Sequence, residues 1–248
     1  MALGKWLVSS VLWCGLALAF QSAGAAPLKV GALHLPPFYV LDATQTHVEG
    51  GTTIVCIKKV LERAKVDYAL FGFPAKRLYE NFASGAIDMV LGSTGNSVIA
   101  DKGLLGPLPL RNSTIELYSL LPTSKIPTSI AELDGKSVIT IAGYSYAGLL
   151  DELKNTKADL VPSPTHDSAM LMLGAGRAPY ALVYRGVVDD SVKLAKLEGK
   201  INSRVMKTLQ ILVQINKETP NAQETMDKVM KALKEVKAQG QCTDTYKK

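Results

Sequence analysis

Short apolar runs and helical periodicities alternate along most of the chain. Residues 28–32, apolar apart from Lys29, form a short run stopped by Pro36-Pro37, which cannot continue a hydrogen-bonded ladder, and the run predicts a strand. Ile54, Ile57, Leu61 and Ala64, with Val60 beside them, recur at helical spacing behind Thr52 and Thr53, two residues able to cap a helix. A second strand is predicted over residues 68–71. Leu78 and Phe82 stand four apart in a short helix over 76–84, closed by Gly85, since glycine accepts a positive φ at a helix end. Residues 87–91 are apolar except for Asp88, and the run Met89-Val90-Leu91 marks a strand covered on both faces.

After an irregular stretch from 92 to 112 the alternation resumes. Ser129-Ile130-Ala131-Glu132 reads as a capping box opening a short helix that ends at Asp134-Gly135. Strands are predicted over 138–141, 159–161, 180–184 and 209–215, and helices over 145–154, 167–173 and 187–197. The longest helix is predicted over 221–237, with Met226, Met230 and Leu233 on its inner face and Gly240 ending it. Strands alternating with helices predict an α/β chain with mainly parallel sheets. Two such runs, split near Asn112, predict two lobes of similar size.

The first 25 residues break this pattern. Lys5 precedes an apolar stretch over 7–20 and then Ala23-Gly24-Ala25, which reads as a cleavable secretory signal cut after Ala25. The apolar stretch is short for a bilayer span. A lipid anchor on Cys14 is disfavoured because Trp13 stands where the lipidation site needs a small residue. No other stretch is long and apolar enough for a transmembrane helix. The expected product is exported, periplasmic and not membrane-embedded after signal cleavage.

Export bears on the two remaining cysteines, Cys56 and Cys242, because disulfides persist outside the cytoplasm. One bridge would close a very long loop, contributing about 4–5 kcal/mol on chain-entropy accounting. Two unpaired thiols are the other reading, and the bridge is the expectation. Composition excludes further classes. The 248 residues are 47% hydrophobic and 20% charged with a net charge of +6, which excludes a disordered, collagenous or cysteine-dense chain. That charge forms no basic stripe interleaved with aromatics, so no nucleic-acid partner is expected. With three histidines (His34, His47, His166) and no CxxC or HxxxH, neither a metal site nor a cofactor is expected.

Two loops carry candidate chemistry. Gly143-Tyr144-Ser145-Tyr146-Ala147 lies between a predicted strand and helix and nearly matches the G-x-S-x-G nucleophile elbow. A hydrolase triad needs a late histidine, and nothing after His166 can serve. The simpler reading puts Ser145 at a helix N-cap, aiming free backbone N–H groups at a carboxylate or another anion. Gly92-Ser93-Thr94-Gly95-Asn96-Ser97 follows the buried strand over 87–91, at the strand end where open α/β sheets place ligands. One such loop per lobe predicts a cleft.

The order of several short motifs resembles family 3 of the bacterial extracellular solute-binding proteins, the two-lobed receptors that deliver amino acids and related solutes to ABC importers. Lys29-Val30-Gly31 leads into Pro36-Pro37-Phe38. Ser84-Gly85-Ala86-Ile87-Asp88-Met89 is similar to the family's "sGkiDa" strand entry, and Leu133-Asp134-Gly135-Lys136-Ser137-Val138 to "DLkGkkVgv". Gly143-Tyr144-Ser145 stands where the family often has Gly-Thr-Thr. The segment 234–240 and Thr245-Tyr246-Lys247-Lys248 resemble the family's C-terminus. The resemblance covers nearly the whole chain after Ala25. It implies a type II, flytrap periplasmic-binding-protein fold: lobe 1 from 26–114 plus 208–248, lobe 2 from 115–207, and hinge crossovers near 113–118 and 205–210. It also implies a monomer that binds a small-molecule ligand between the lobes, shifts its open–closed equilibrium and meets a membrane permease or receptor.

The chain departs from the family at the ligand. Where amino-acid binders carry a carboxylate-clamping arginine it has Val98-Ile99-Ala100, with Lys102 the nearest cation, and no acid stands between Gly176 and Arg185 to hold an amino group. Ala75 replaces the aromatic platform. An α-amino acid needs partners for both charges once buried. The candidate ligand-binding residues are Phe38, Tyr39, Arg77, Ser93, Thr94, Asn96, Tyr144, Ser145, Tyr146, Tyr184 and Arg185, with Lys76 nearby. Arg77 and Lys76 can equally be solvated helix charges, and Asp88 reads as structural, holding the turn before its strand. A tyrosine-rich, cationic set suits an anionic or aromatic organic acid. The expected role is capture of a small polar or anionic organic solute for ABC-type import, with no catalytic residue. A sensory module signalling to a membrane receptor is the alternative. A dehydratase-like enzyme on the same scaffold would need a general acid or base in the cleft, and no carboxylate has a convincing position there.

Overall fold

The computed structural model describes residues 26–242, so the predicted signal segment, Cys14 and the motif at 245–248 lie outside the described residues. The chain begins with β1 (Leu28–Ala32), the hairpin strands β2 (Val40–Leu41) and β3 (Val48–Gly50), α1 (Thr52–Ala64), β4 (Tyr68–Gly72), α2 (Ala75–Ala83), β5 (Met89–Gly92) and β6 (Gly103–Leu105). It continues with β7 (Arg111–Ser119), β8 (Ser137–Ile141), α3 (Leu149–Lys154), β9 (Asp159–Ser163), α4 (His166–Gly174), β10 (Tyr180–Tyr184) and α5 (Asp189–Leu194). It closes with β11 (Asn202–Asn216) and α6 (Ala222–Ala238).

The strands form a nine-stranded sheet in the order β4-β1-β5-β11-β7-β10-β8-β9, with β6 also on β11. Pairing is parallel where βα units generate it, β4 to β1 to β5 and β10 to β8 to β9. It turns antiparallel at β11 and β7. Long β11 pairs β5 through Leu212 to Ile215 and β7 from Asn202↔Ser119 to Ile211↔Arg111. The two predicted crossover segments therefore run side by side, and each group of βα units hangs from this ribbon.

Burial explains which elements form. Val30, Met89 and Val90 are fully or almost fully buried, as continuous apolar runs between two helical layers require. In the second group Val138, Ile139, Leu182 and Val183 do the same. α1 turns Ile54, Ile57, Val60 and Leu61 inward. α6 buries Met226, Val229, Ala232, Leu233 and Val236, while Met230 is half-buried at the edge of that face. The Cys56–Cys242 disulfide joins α1 to the segment after α6 across a separation of 186 residues. Asp88 accepts from the Lys29 backbone N–H at 2.8 Å and from the Thr219 hydroxyl at 3.2 Å, locking the entry of β1 beside that of β5.

Several local expectations change. The N-cap of α1 is Gly51, not Thr52 or Thr53, and no side chain caps it. Thr53 instead accepts a hydrogen bond from Arg111 Nε at 3.1 Å. The Ser129 box yields only a 3-10 turn over Ala131–Leu133, and Glu132 is gripped mainly by Thr128, whose backbone N–H lies 3.0 Å from its carboxylate. The helix predicted from 145 begins only at Leu149. Tyr146 and Ala147 take left-handed φ values of 50° and 53°, and Gly148 takes the N-cap place. Ser145 therefore presents no helix N-terminus to a ligand; its carbonyl accepts from Gly148 and Leu150. The helix predicted over 187–197 is confined to α5.

Candidate functional site

The ends of β1 and β5 face the turn after β8 and the end of β10 across a narrow cleft. Three side chains from that far wall meet as rings. Tyr146 stacks on Tyr184 with centroids 5.9 Å apart, and Tyr144 meets Tyr184 edge-on at 6.1 Å and lies tilted against Tyr146 at 5.8 Å. Tyr144 also lies edge-on to His166 at 5.7 Å. Offset and edge-on rings satisfy the aromatic quadrupole, so the cluster is a rigid wall.

The phenols are anchored in different ways. The Tyr146 hydroxyl accepts from the Ile141 backbone N–H at 2.6 Å, which fixes the ring beneath the left-handed turn. The Tyr144 hydroxyl donates to the His34 carbonyl at 2.8 Å, crossing the cleft. Burial pushes Tyr144, Tyr146 and Tyr184 well up from the ordinary phenol value, and raises Tyr79 to about 12. All are neutral at physiological pH, so they offer hydrogen bonds rather than charge.

The two sequence loops touch here. A side-chain carbon on Gly95, at φ 91°, would lie 2.5 Å from the Ala147 carbonyl oxygen, so only glycine permits this approach. Lys207 of β11 donates to that same carbonyl at 2.7 Å. The lobes thus stand closed, and the space left between them is about 40 Å³. At about 10–15 Å³ per water, it holds roughly three waters.

Of the sequence candidates, Tyr39, Ser93, Asn96, Tyr144, Ser145 and Tyr184 line this space together. Tyr146 is fully buried behind them, and Phe38 lies under Arg111 with the guanidinium carbon 3.6 Å from its ring centroid. Thr94 and Arg77 are exposed and do not line the space, and Lys76 pairs with Glu80 at 3.8 Å. Arg185 is turned to the hinge strand: its Nε donates to buried Glu116 at 2.6 Å, and its Nη2 makes a second bond to the same oxygen. That pairing raises the Arg185 pKa further. Among the described residues, none that lines the space carries a formal charge.

Other contributors escape the sequence pattern. Tyr79 of α2 lines the space beside Leu33, Leu35, Leu91 and Ile211. Asn96 accepts from the Val98 N–H at 3.0 Å, while its Nδ2 is buried with no hydrogen-bond partner. His34 and His166 border an adjoining cavity of about 420 Å³ that Asp167, Asp189, Asp190 and Lys193 also line. Burial lowers both imidazoles, His166 to about 4, with His34 lowering it further and Asp167 opposing. Among the described residues no group of three or more His, Cys, Asp and Glu could hold a metal ion, and no helix is long and apolar enough to cross a membrane.

No family model matches the chain, and no curated protein does. Solved structures match over most of its length. A histidine kinase sensor domain with similarity to periplasmic binding proteins superposes with a TM-score of 0.69 at 18% identity, covering 87% of this chain and 92% of that one. The GluR0 ligand-binding core from Nostoc punctiforme, in complex with L-glutamate, gives 0.67 at 17% identity over 87% and 95%. The substrate-binding protein of an amino acid ABC transporter gives 0.64 at 16% identity over 88% and 96%. The shared feature is the bilobed α/β flytrap fold.

Proposed function

We propose that the protein is an extracytoplasmic solute-binding protein that captures a small polar solute between its lobes and presents it to an ABC-type permease. We take residues 26–114 and 208–248 as lobe 1, 115–207 as lobe 2, and β7 and β11 as the hinge. The observation that carries this reading is the cleft itself: an uncharged, tyrosine-walled space between two lobes. A neutral solute with hydrogen-bonding groups and an apolar or aromatic face suits that lining. The anionic solute that the arginine count suggests is less well served, because Arg77 and Arg185 point elsewhere. Binding and release by lobe movement involves no bond chemistry, so the reading is non-enzymatic.

The closed space has room for only a few waters, so capture of a larger solute requires the lobes to part. Serving a membrane receptor instead of a permease is the second reading, favoured by the similarity to a kinase sensor domain. A thermal-shift screen of the exported protein tests the ligand class, since a cleft ligand stabilises by mass action. Neutral polar solutes such as small amides and polyols should raise Tm. A response confined to zwitterionic amino acids would overturn the uncharged reading.

A further inference from the structure

One tyrosine of the cleft wall also bridges the cleft. Tyr144 stands on the turn after β8, lines the space between the lobes and is 8% exposed. Its ring lies edge-on to Tyr184 and His166 and tilted against Tyr146. Its hydroxyl reaches the other lobe, where it donates to the His34 carbonyl at 2.8 Å. Among the described residues no backbone N–H donates to that carbonyl, so the phenol satisfies it. A side chain of lobe 2 thus makes, with both lobes, the contacts that a small aromatic solute would make.

The turn that carries Tyr144 is held in place by closure. Gly143, Tyr146, Ala147 and Gly148 all take positive φ, at 81°, 50°, 53° and 91°. That conformation is unfavourable for a tyrosine or an alanine and persists where the surroundings over-determine it. Three contacts do so here: the Tyr146 hydroxyl on the Ile141 N–H, Lys207 on the Ala147 carbonyl, and the Gly95 backbone packed against Ala147. The last comes from lobe 1 and is lost when the lobes part, as is the Tyr144 bond to His34. Opening therefore loosens the turn and lets Tyr144 leave the cleft, which frees the His34 carbonyl and the Tyr184 ring together.

We propose that Tyr144 is a built-in stand-in for the solute, and that the solute displacing it is a neutral phenol. This rests on the reading of the cleft as a solute site and narrows its ligand class. The hydroxyl of the phenol takes the His34 carbonyl, and its ring takes the place beside Tyr184, Tyr146 and His166. The neutral form is required, because a phenolate has no proton to donate. A benzoate-like acid would bury a carboxylate where no lining residue carries a formal charge. A plain arene would leave the carbonyl without a donor. Tyr144 is thus a specificity-determining residue that sets the pattern of ring plus donor and competes with the solute for it.

The test compares phenol, toluene and benzoate on the exported protein and two variants. Tyr144→Ala empties the place of the ring, and apolar hollows of about 150 Å³ bind benzene. Phenol should raise the Tm of this variant by roughly 3–6 °C at ten times its Kd, and return its radius of gyration towards the parent's. Toluene, lacking the donor, should bind about 2–10-fold more weakly, and benzoate should leave Tm unchanged. In the parent, phenol must displace both the ring and its bond to His34. Tyr144→Phe should therefore bind phenol about 2–10-fold more tightly than the parent in calorimetric titration. That comparison decides the matter if the alanine variant does not fold. A folded Tyr144→Ala protein whose Tm does not respond to phenol would overturn the assignment, as would equal affinities for phenol and toluene. Equal phenol affinities in the parent and Tyr144→Phe would do the same. If amides or polyols still raise the parent's Tm beside such a result, the phenol assignment falls alone; if no solute does, the solute-binding reading falls with it.

Discussion

The hydroxyl of Tyr144 donates to the main-chain carbonyl of His34 at 2.8 Å, tying the turn after β8 to the segment after β1 across the closed cleft. Both ends are sheltered, so the bond is worth about 0.5–1.5 kcal/mol, and removing the donor leaves a carbonyl to be rehydrated. Tyr144→Phe keeps the ring contacts with Tyr184 and His166 and deletes only this tie. The expected result is a shift towards the open arrangement without solute, read as a larger radius of gyration by solution scattering. An unchanged radius would show that the packed tyrosines and the Gly95–Ala147 contact hold the lobes without it.

Cys56 and Cys242 close a loop with a sequence separation of 186 residues, and chain-entropy accounting gives about 5 kcal/mol for a loop of that size. Measured losses on removing native disulfides run about 2–5 kcal/mol. Converting both cysteines to alanine should therefore lower Tm by roughly 4–20 °C. Mass spectrometry of the exported protein without reductant should find the pair linked, and two alkylatable thiols would refute the bridge.

Glu116 is buried in β7, and Arg185 is the cation bonded to it, although that side chain is half exposed. Removing Arg185 leaves the buried Glu116 carboxylate without its cation, with the neutral Tyr118 phenol still bonded to it, whereas removing Arg77 touches only a solvated helix face. Arg185→Met should cost about 2–3 kcal/mol, somewhat below a fully buried pair because solvent screens the guanidinium. Arg77→Ala should stay within about 0.5 kcal/mol. Adding Glu116→Gln to the Arg185 variant should recover much of the loss in denaturant titrations. Equal costs for the two arginine variants would contradict these roles.

The contrast between these arginines marks what a sequence can show. β8 and β10 are legible because burial on both faces demands apolar runs, β1 because only Lys29 interrupts its apolar residues, and the β7–β11 ribbon follows from the family-like order of segments. β2, β3 and β6 escape because two or three residues become a strand only through a distant partner. The turn at Ser145 misleads for a local reason: the left-handed Tyr146 and Ala147 postpone the helix, and nothing in their side chains announces it. Around the cleft, the positions of Tyr144 and Tyr184 in its lining follow from their place at strand ends. Arg185 is misread because Glu116 stands 69 positions earlier, and Arg111 and His166 are missed because burial of a polar side chain leaves no periodic signal.

His166 is 8% exposed and its Nε2 has no hydrogen-bond partner, so the imidazole is held neutral largely by lost hydration. His34 adds a like-charge penalty, Asp167 opposes it, and Asp189, Asp190 and Lys193 border the same cavity. Because the folded pKa of about 4 lies below the ordinary imidazole value of 6.5, the unfolded chain binds the proton first as pH falls. The stability from the neutral ring is complete above about pH 6.5 and drains away as pH falls towards 4, by about 3 kcal/mol in total. Carboxylates titrate in the lower part of that window, so the informative quantity is a difference between proteins. His166→Gln removes the titration while keeping a polar side chain of similar reach. Between pH 7 and 4.5 the parent should lose more stability than the variant, measured by urea unfolding at each pH. Parallel pH profiles would mean that the ring is hydrated and titrates as it does in the unfolded chain.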